Sequence, residues 1–273
     1  LAELADPDVT VLWRPYLLEP TAPAVSVPLA DQPEAEAAQL SSVPGFNLDL
    51  VKHRVAQLAI AEGLPTPNPG YRVSTWAAHR LIQAAADQGP AVQSEVVETI
   101  MAAHFSGRDI NRSDFLGDLA ERNGLPAPVE LEETGHALAY LQPGFDLQDP
   151  SERATREAYW TGRALDIASS PTFVVAGDAL VGAQPVATIL EHLAVEREPA
   201  REVPGEVRRL RLAEALLDRR DPHGCLYVLA PLRPEHDDDP NLEILAARAL
   251  LASASLRPAR EKLERLVAQY PGD

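Results

Sequence analysis

A long stretch of helical patterning is interrupted once by a compact β signal, and that interruption limits the folds open to the chain. Pro171 to Val175 reads Pro-Thr-Phe-Val-Val, rich in β-branched and aromatic residues. Ala176-Gly177-Asp178 supplies a tight turn and Ala179 to Gly182 a second strand, so the spacing predicts a β-hairpin. Pro185 then opens a helix to Val195. Upstream, Val9 to Leu18 (VTVLWRPYLL) has the same β character and is predicted as a strand, with Pro15 marking its exit. Between the two β regions the pattern predicts helices over Asn47–Gly63, Ser74–Gly89, Pro90 to about Phe105, Asn111 or Ser113 to Asn123-Gly124, Pro126–Leu141 and Ser151–Leu165. Five prolines make Glu19–Gly45 an extended connection, with a short helix expected around Glu34–Leu40. Strand, helical block, hairpin, helix is an α/β arrangement with an all-helical insertion.

Beyond the charged, proline-containing stretch Glu196–Gly205, the pattern is purely helical and repeats itself. Ala213 and Ala247, Leu216 and Leu250, Cys225 and Ala259, Leu229 and Leu263, and Leu232 and Leu266 are each 34 residues apart. This period, carried by helix pairs, resembles the tetratricopeptide repeat, whose closing proline stands here at Pro271. In the first copy Asp237 takes that place and Pro240 follows. Two copies are fewer than the three usually needed to bury a core, so the block is expected to pack on the first domain or on a partner.

Composition excludes several functions. With 24 basic and 41 acidic side chains the chain carries a net charge of −17, which argues against nucleic-acid and anionic-membrane surfaces. No apolar run reaches the roughly 18–20 residues of a membrane span. The single Cys225 leaves no intrachain disulfide, Cys-rich zinc site or Cys-x-x-Cys centre within these residues. Its repeat partner is the small Ala259, so it reads as a packed structural thiol. The histidines at 53, 79, 104, 136, 192, 223 and 236 form no HxH or HExxH pattern, and Asp237-Asp238-Asp239 supplies too few ligands for calcium, so no metal and no cofactor is expected. Neither a phosphate-cradling glycine loop nor a GxSxG elbow is present.

Four stretches carry a resemblance: VLWRPYLLEP, STWAAHRLIQAAADQG, AHFSGRDI with LGDLAERNGLP, and SSPTFVVAGDALVGAQP. Their order and spacing resemble the DsbA-like thioredoxin-fold oxidoreductases of the FrnE type, over about Val9 to Ala194. The AHRL helix (Ala78-His79-Arg80-Leu81), the PTFVV hairpin and the GAQP turn (Gly182-Ala183-Gln184-Pro185) are specific jointly and weak singly. Ser74 stands where that family usually has Asn, and Ser170 where it has Val before a cis-proline.

The resemblance implies a thioredoxin-like α/β fold over residues 1–195 with an inserted helical subdomain at about 46–166, while the charged stretch and the 34-residue offset place a linker at 196–205 and tetratricopeptide-like helices at 206–273. It also implies a first strand and a Cys-x-x-Cys helix, which this chain lacks. The chain opens at Leu1 rather than Met, and those elements are expected upstream. It implies a substrate edge at Ser170, Pro171 and Thr172, with Pro171 cis, although an X-Pro bond is by default trans. His79 reads either as a site residue by resemblance or as a hydrogen-bonded core histidine. Trp160 reads either as facing a groove above Pro171 or as core.

Three functions follow. The first is thiol–disulfide exchange on a polypeptide or small thiol, inactive in these residues alone for want of two thiols. The second is a non-catalytic, chaperone-like module taking a protein partner through residues 206–273. The third is a glutathione-dependent isomerase of the hydroxychromene-carboxylate type, which shares the insertion by resemblance. An acidic chain with one thiol fits the cytoplasm.

Overall fold

In the computed structural model the described residues are 9–31, 48–128, 149–195, 203–234, 236 and 239–270. They fall into two compact units. The first holds residues 10–31, 48–128 and 149–155; the second holds residue 9 and the described residues from 156 onward. The expected helices at Glu34–Leu40 and Pro126–Leu141, the Asn47 cap, and Asp237 and Asp238 fall wholly or mainly outside the described residues.

The first unit is built on helices. Strand β1 (Val27–Pro28) pairs antiparallel with β2 (Tyr71–Arg72), and helix α1 covers Leu48–Ala61. Helices α2 (Trp76–Ala86), α3 (Pro90–Phe105) and α4 (Ser113–Arg122) follow. Proline at the first position of α3 loses nothing, because that amide has no partner inside a helix. Gly89 before it adopts φ +112°, a conformation that L side chains rarely reach. Leu81, Val96, Ile100, Phe115, Leu116 and Leu119 form the shared core. Ser74 supports the start of α2 by accepting from the Trp76 amide at 3.3 Å, although Thr75 is the cap residue.

The predicted strand over Val9–Leu18 does not form. Residues 9–17 carry no strand pairing. β propensity describes how side chains fit a sheet, and it needs a neighbouring strand to take the backbone groups. Here one side chain takes them. The buried Gln93 accepts from the Trp13 amide at 2.9 Å and donates to the Trp13 carbonyl at 2.9 Å. The Trp13 indole adds a bond to Ser94 Oγ at 3.3 Å, and its ring packs on the core.

Helix α5 (Pro150–Ala164) begins in the first unit and ends in the second. Asp149 caps it, accepting from the amides of Ser151 and Glu152 at 2.7 and 3.2 Å. In the second unit strands β3 (Thr172–Val175) and β4 (Asp178–Val181) form the hairpin, and α6 covers Val186–Ala194. Four helices follow: α7 (Gly205–Asp218), α8 (Pro222–Leu229), α9 (Pro240–Ala252) and α10 (Leu256–Gln269). Consecutive helices among these four pack on one another. The 34-residue offset keeps its meaning in packing: Ala213 and Ala247, like Cys225 and Ala259, are completely buried. The two copies differ at the last helix, because Leu229 is sealed while Leu263 is 37% exposed.

Replacing Gln93 by Met keeps its volume but strands the half-buried Trp13 amide and carbonyl. The expected cost is about 2–3 kcal/mol, read as a lower urea midpoint with an unchanged slope.

Candidate substrate edge and the groups around it

Ser169, Ser170 and Pro171 lead directly into β3, and the Ser170–Pro171 peptide bond is cis. The Thr172 hydroxyl donates to the Ser169 carbonyl at 2.8 Å, which folds the approach onto the strand. At the other end Ala176 and Gly177 both have positive φ, +50° and +94°, the geometry of a two-residue type I′ hairpin turn.

The turn fixes which backbone groups look outward. Val175 pairs with Asp178 across the two-residue loop, so that pair is hydrogen-bonded and the pairs then alternate. Phe173 opposite Leu180 is hydrogen-bonded, and Pro171 receives the Gly182 amide at 2.9 Å, which agrees with the alternation. Thr172 and Val174 therefore aim their amides and carbonyls away from β4. Among the described residues no strand pairs with that outer edge. Ser170 and Pro171 are exposed, and Val174 is 45% exposed. The GAQP turn closes the hairpin, with Gln184 Nε2 donating to the Val181 carbonyl at 2.8 Å.

The other two expected site residues lie elsewhere. Trp160 on α5 is only 4% exposed, so it does not line an open groove. Its ring packs so tightly on Gly224 that a Cβ there would fall 2.6 Å from it, Tyr159 meets it edge-on, and Tyr227 lies tilted against it. A large aromatic at helical spacing went into the core, the commoner outcome for its size.

His79 belongs to the first unit. Its ring is engaged with the Tyr16 backbone, while its Nδ1 is sealed from solvent without a hydrogen bond. Burial pushes its pKa down to about 4. Next to it Arg80 is nearly enclosed, ion-paired with Glu152 at 3.0 Å and with Asp149. Glu152 also accepts from the Trp76 indole, at 3.0 and 2.9 Å. Sequence reasoning missed this cluster. Its one signal was a Trp and an Arg four positions apart, on one helical face.

Cys225 is buried and free, as expected, and burial raises its pKa to about 12. A thiol held protonated this firmly is a poor nucleophile. Among the described residues no group of three or more His, Cys, Asp or Glu side chains is arranged to hold a metal, and no helix is long and apolar enough to cross a membrane.

The model of the DSBA-like thioredoxin domain matches residues 1–194, everything up to the end of α6. The chain belongs to that family. No curated protein and no solved structure matches it. The DSBA-like domain thus includes the hairpin and its outward edge, while α7–α10 lie beyond the match.

Two measurements check these environments. Cys225 is expected to resist alkylation by iodoacetamide in the native protein and to react stoichiometrically in urea. For His79 the unfolded chain binds a proton near pH 6.5 and the folded one only near pH 4. Its contribution is therefore complete above pH 6.5 and is lost as pH falls to 4, by on the order of 3 kcal/mol at most. Thermal melts across that range should show the loss, and His79→Gln should flatten it.

Proposed function

We propose that this DSBA-like chain serves thiol–disulfide exchange of the DsbA/FrnE type, holding an extended polypeptide against β3 while the reactive sulfurs act on its disulfide. The family match carries the reading, since it takes in the whole hairpin. The outward amides and carbonyls of Thr172 and Val174 support it, because an added strand takes its affinity from such groups. Ser170 and Pro171 set the start of that edge. A small thiol or disulfide would use the Thr172 groups in the same way.

In the exchange itself a thiolate attacks one sulfur of the substrate disulfide and releases the other as thiolate. A second thiol then attacks the mixed disulfide and frees the first product sulfur, leaving the enzyme's pair oxidised. Two accessible thiols are needed, and the buried Cys225 supplies neither. These 273 residues therefore contribute binding and positioning. We read α7–α10 as a tetratricopeptide-like pair that adds a protein-binding surface, and we assign the protein to the cytoplasm, where a lone thiol remains reduced. A second reading, a purely non-catalytic binding module, draws on the same buried thiol and the same helices.

Insulin reduction separates the two. In a gene product confirmed to carry a Cys-x-x-Cys, turnover is expected, and Thr172→Pro should slow it about tenfold by removing one edge amide. Circular dichroism should show the variant folded. No turnover in such a product would sink the exchange reading and leave the binding module.

A further inference from the structure

Helix α10 carries an exposed apolar stripe at positions that its counterpart α8 has covered. Moved by 34 residues, α7 and α8 fall at 239–252 and 256–263, where the structure has α9 (Pro240–Ala252) and the start of α10 at Leu256. α8 packs on α7 before it and on α9 after it. α10 packs on α9, joined to it by the buried ion pair of Lys262 with Glu243, and among the described residues no helix follows it. The α7–α8 pairing thus recurs as α9–α10, and what α10 lacks is a counterpart of the α9 that packs on α8.

Matched positions record the difference. Leu229 of α8 is completely buried, while Leu263 of α10 is 37% exposed. Pro222 is half-buried, while Leu256 is 66% exposed. Val267, one turn beyond Leu263, is 70% exposed. Residues 256, 263 and 267 are seven and four apart, so they line one side of α10. The charges beside them are balanced within α10: Glu264 is paired with Arg260 at 2.7 Å and Glu261 with Arg257 at 3.0 Å. The stripe therefore calls for an apolar occupant.

α9 shows what a helix in that place carries. Its Leu242, Leu245, Ala246 and Ala249 are buried and recur at i, i+3, i+4 and i+7, a face whose small residues let a neighbouring helix approach closely. A second copy of the chain has no such helix to offer, because this face of α9 is already buried in each copy. Two chains of charge −17 also repel each other. Three aliphatic side chains expose far less than the roughly 1,200 Å² of a stable protein pair, but anchors at helical spacing suit one docked helix.

We propose that Leu256, Leu263 and Val267 dock an amphipathic helix of a partner protein, whose leucines and alanines recur as they do in α9, so that it lies on α10 as α9 lies on α8. The assignment rests on the reading of α7–α10 as a protein-binding surface and gives that surface a face; the thiol–disulfide reading does not bear on it.

Fluorescence anisotropy on the whole chain tests it. The probe is a fluorescein-labelled peptide with the sequence of residues 239–253, acetylated and amidated. Its reference carries Leu242→Gln and Leu245→Gln, which keep helix propensity and remove the apolar face. The first peptide is expected to bind and to stay bound at high salt, and the reference not to bind. Leu256→Gln and Val267→Gln should each weaken binding about fivefold, and the double variant more than tenfold. Both side chains are exposed, so thermal melts should stay unchanged. Ile244→Gln removes an exposed apolar side chain from α9 instead, and binding should stay within about twofold. Sedimentation velocity of the chain alone should be the same with and without the double variant. Binding of neither peptide, or equal binding of both, would overturn the proposal. Binding untouched by the α10 variants would overturn it while leaving α7–α10 a binding surface at another face. A dimer that the double variant dissociates would give the stripe to a second copy and overturn it as well.

Discussion

The Glu152 carboxylate is the interaction on which the first unit turns. It sits buried in the first turn of α5, where an unpaired charge would cost several kcal/mol. Two groups of α2 meet it, the Trp76 indole and the Arg80 guanidinium, at 2.9–3.0 Å. Arg80 reaches on to Asp149, which is also the cap of α5. One cation thus holds both the cap and the first-turn carboxylate of α5. Glu152 and Arg80 each take part in more than one of these contacts, so the cluster behaves as a unit. This explains why an Arg is tolerated inside α2, and it assigns the third residue of the AHRL segment a structural task. His79 beside it stays neutral because burial penalises its charged form.

Elements whose signal is local were legible in the sequence. Pro90 and Gly89 bracket the start of α3, Asn123-Gly124 ends α4, and Ala176-Gly177 forces a two-residue turn. The 34-residue offset was legible too, because small residues must stand wherever helices touch. What the sequence hid depends on partners distant along the chain. Thr10–Leu17 has the residues of a strand, yet nothing in it says that Gln93, some 80 positions later, will supply the hydrogen bonds of a neighbouring strand. Trp160 has the size and spacing of either a groove wall or a core residue, and only Gly224, lacking a Cβ, decides between them. Glu243 and Lys262 lie on different helices, so no periodicity along one helix connects them.

Positions 34 residues apart in the C-terminal helices show how matched side chains can meet two fates. Cys225 and Ala259 occupy equivalent places and both are fully enclosed, so the position selects for smallness and not for sulfur chemistry. Leu229 and Leu263 are also equivalent, but α9 follows the first and no described helix follows the second. Exposure there reflects the order of helices rather than any difference in the residues themselves.

Within these residues, binding and bond exchange are physically separable. Exchange requires a thiolate, and the only thiol is held near pKa 12 by its burial. Binding requires only unsatisfied backbone groups in register, and the type I′ turn determines that Thr172 and Val174 present them. An edge of this kind invites uncontrolled pairing unless something limits its length. Four-residue strands do so, and Pro171 adds a second limit, since it has no amide to offer at the start of the edge. A peptide laid there meets a short ladder that begins at Thr172 and stops at the turn. Such a ladder would give weak, sequence-tolerant attachment, which suits the exchange we propose.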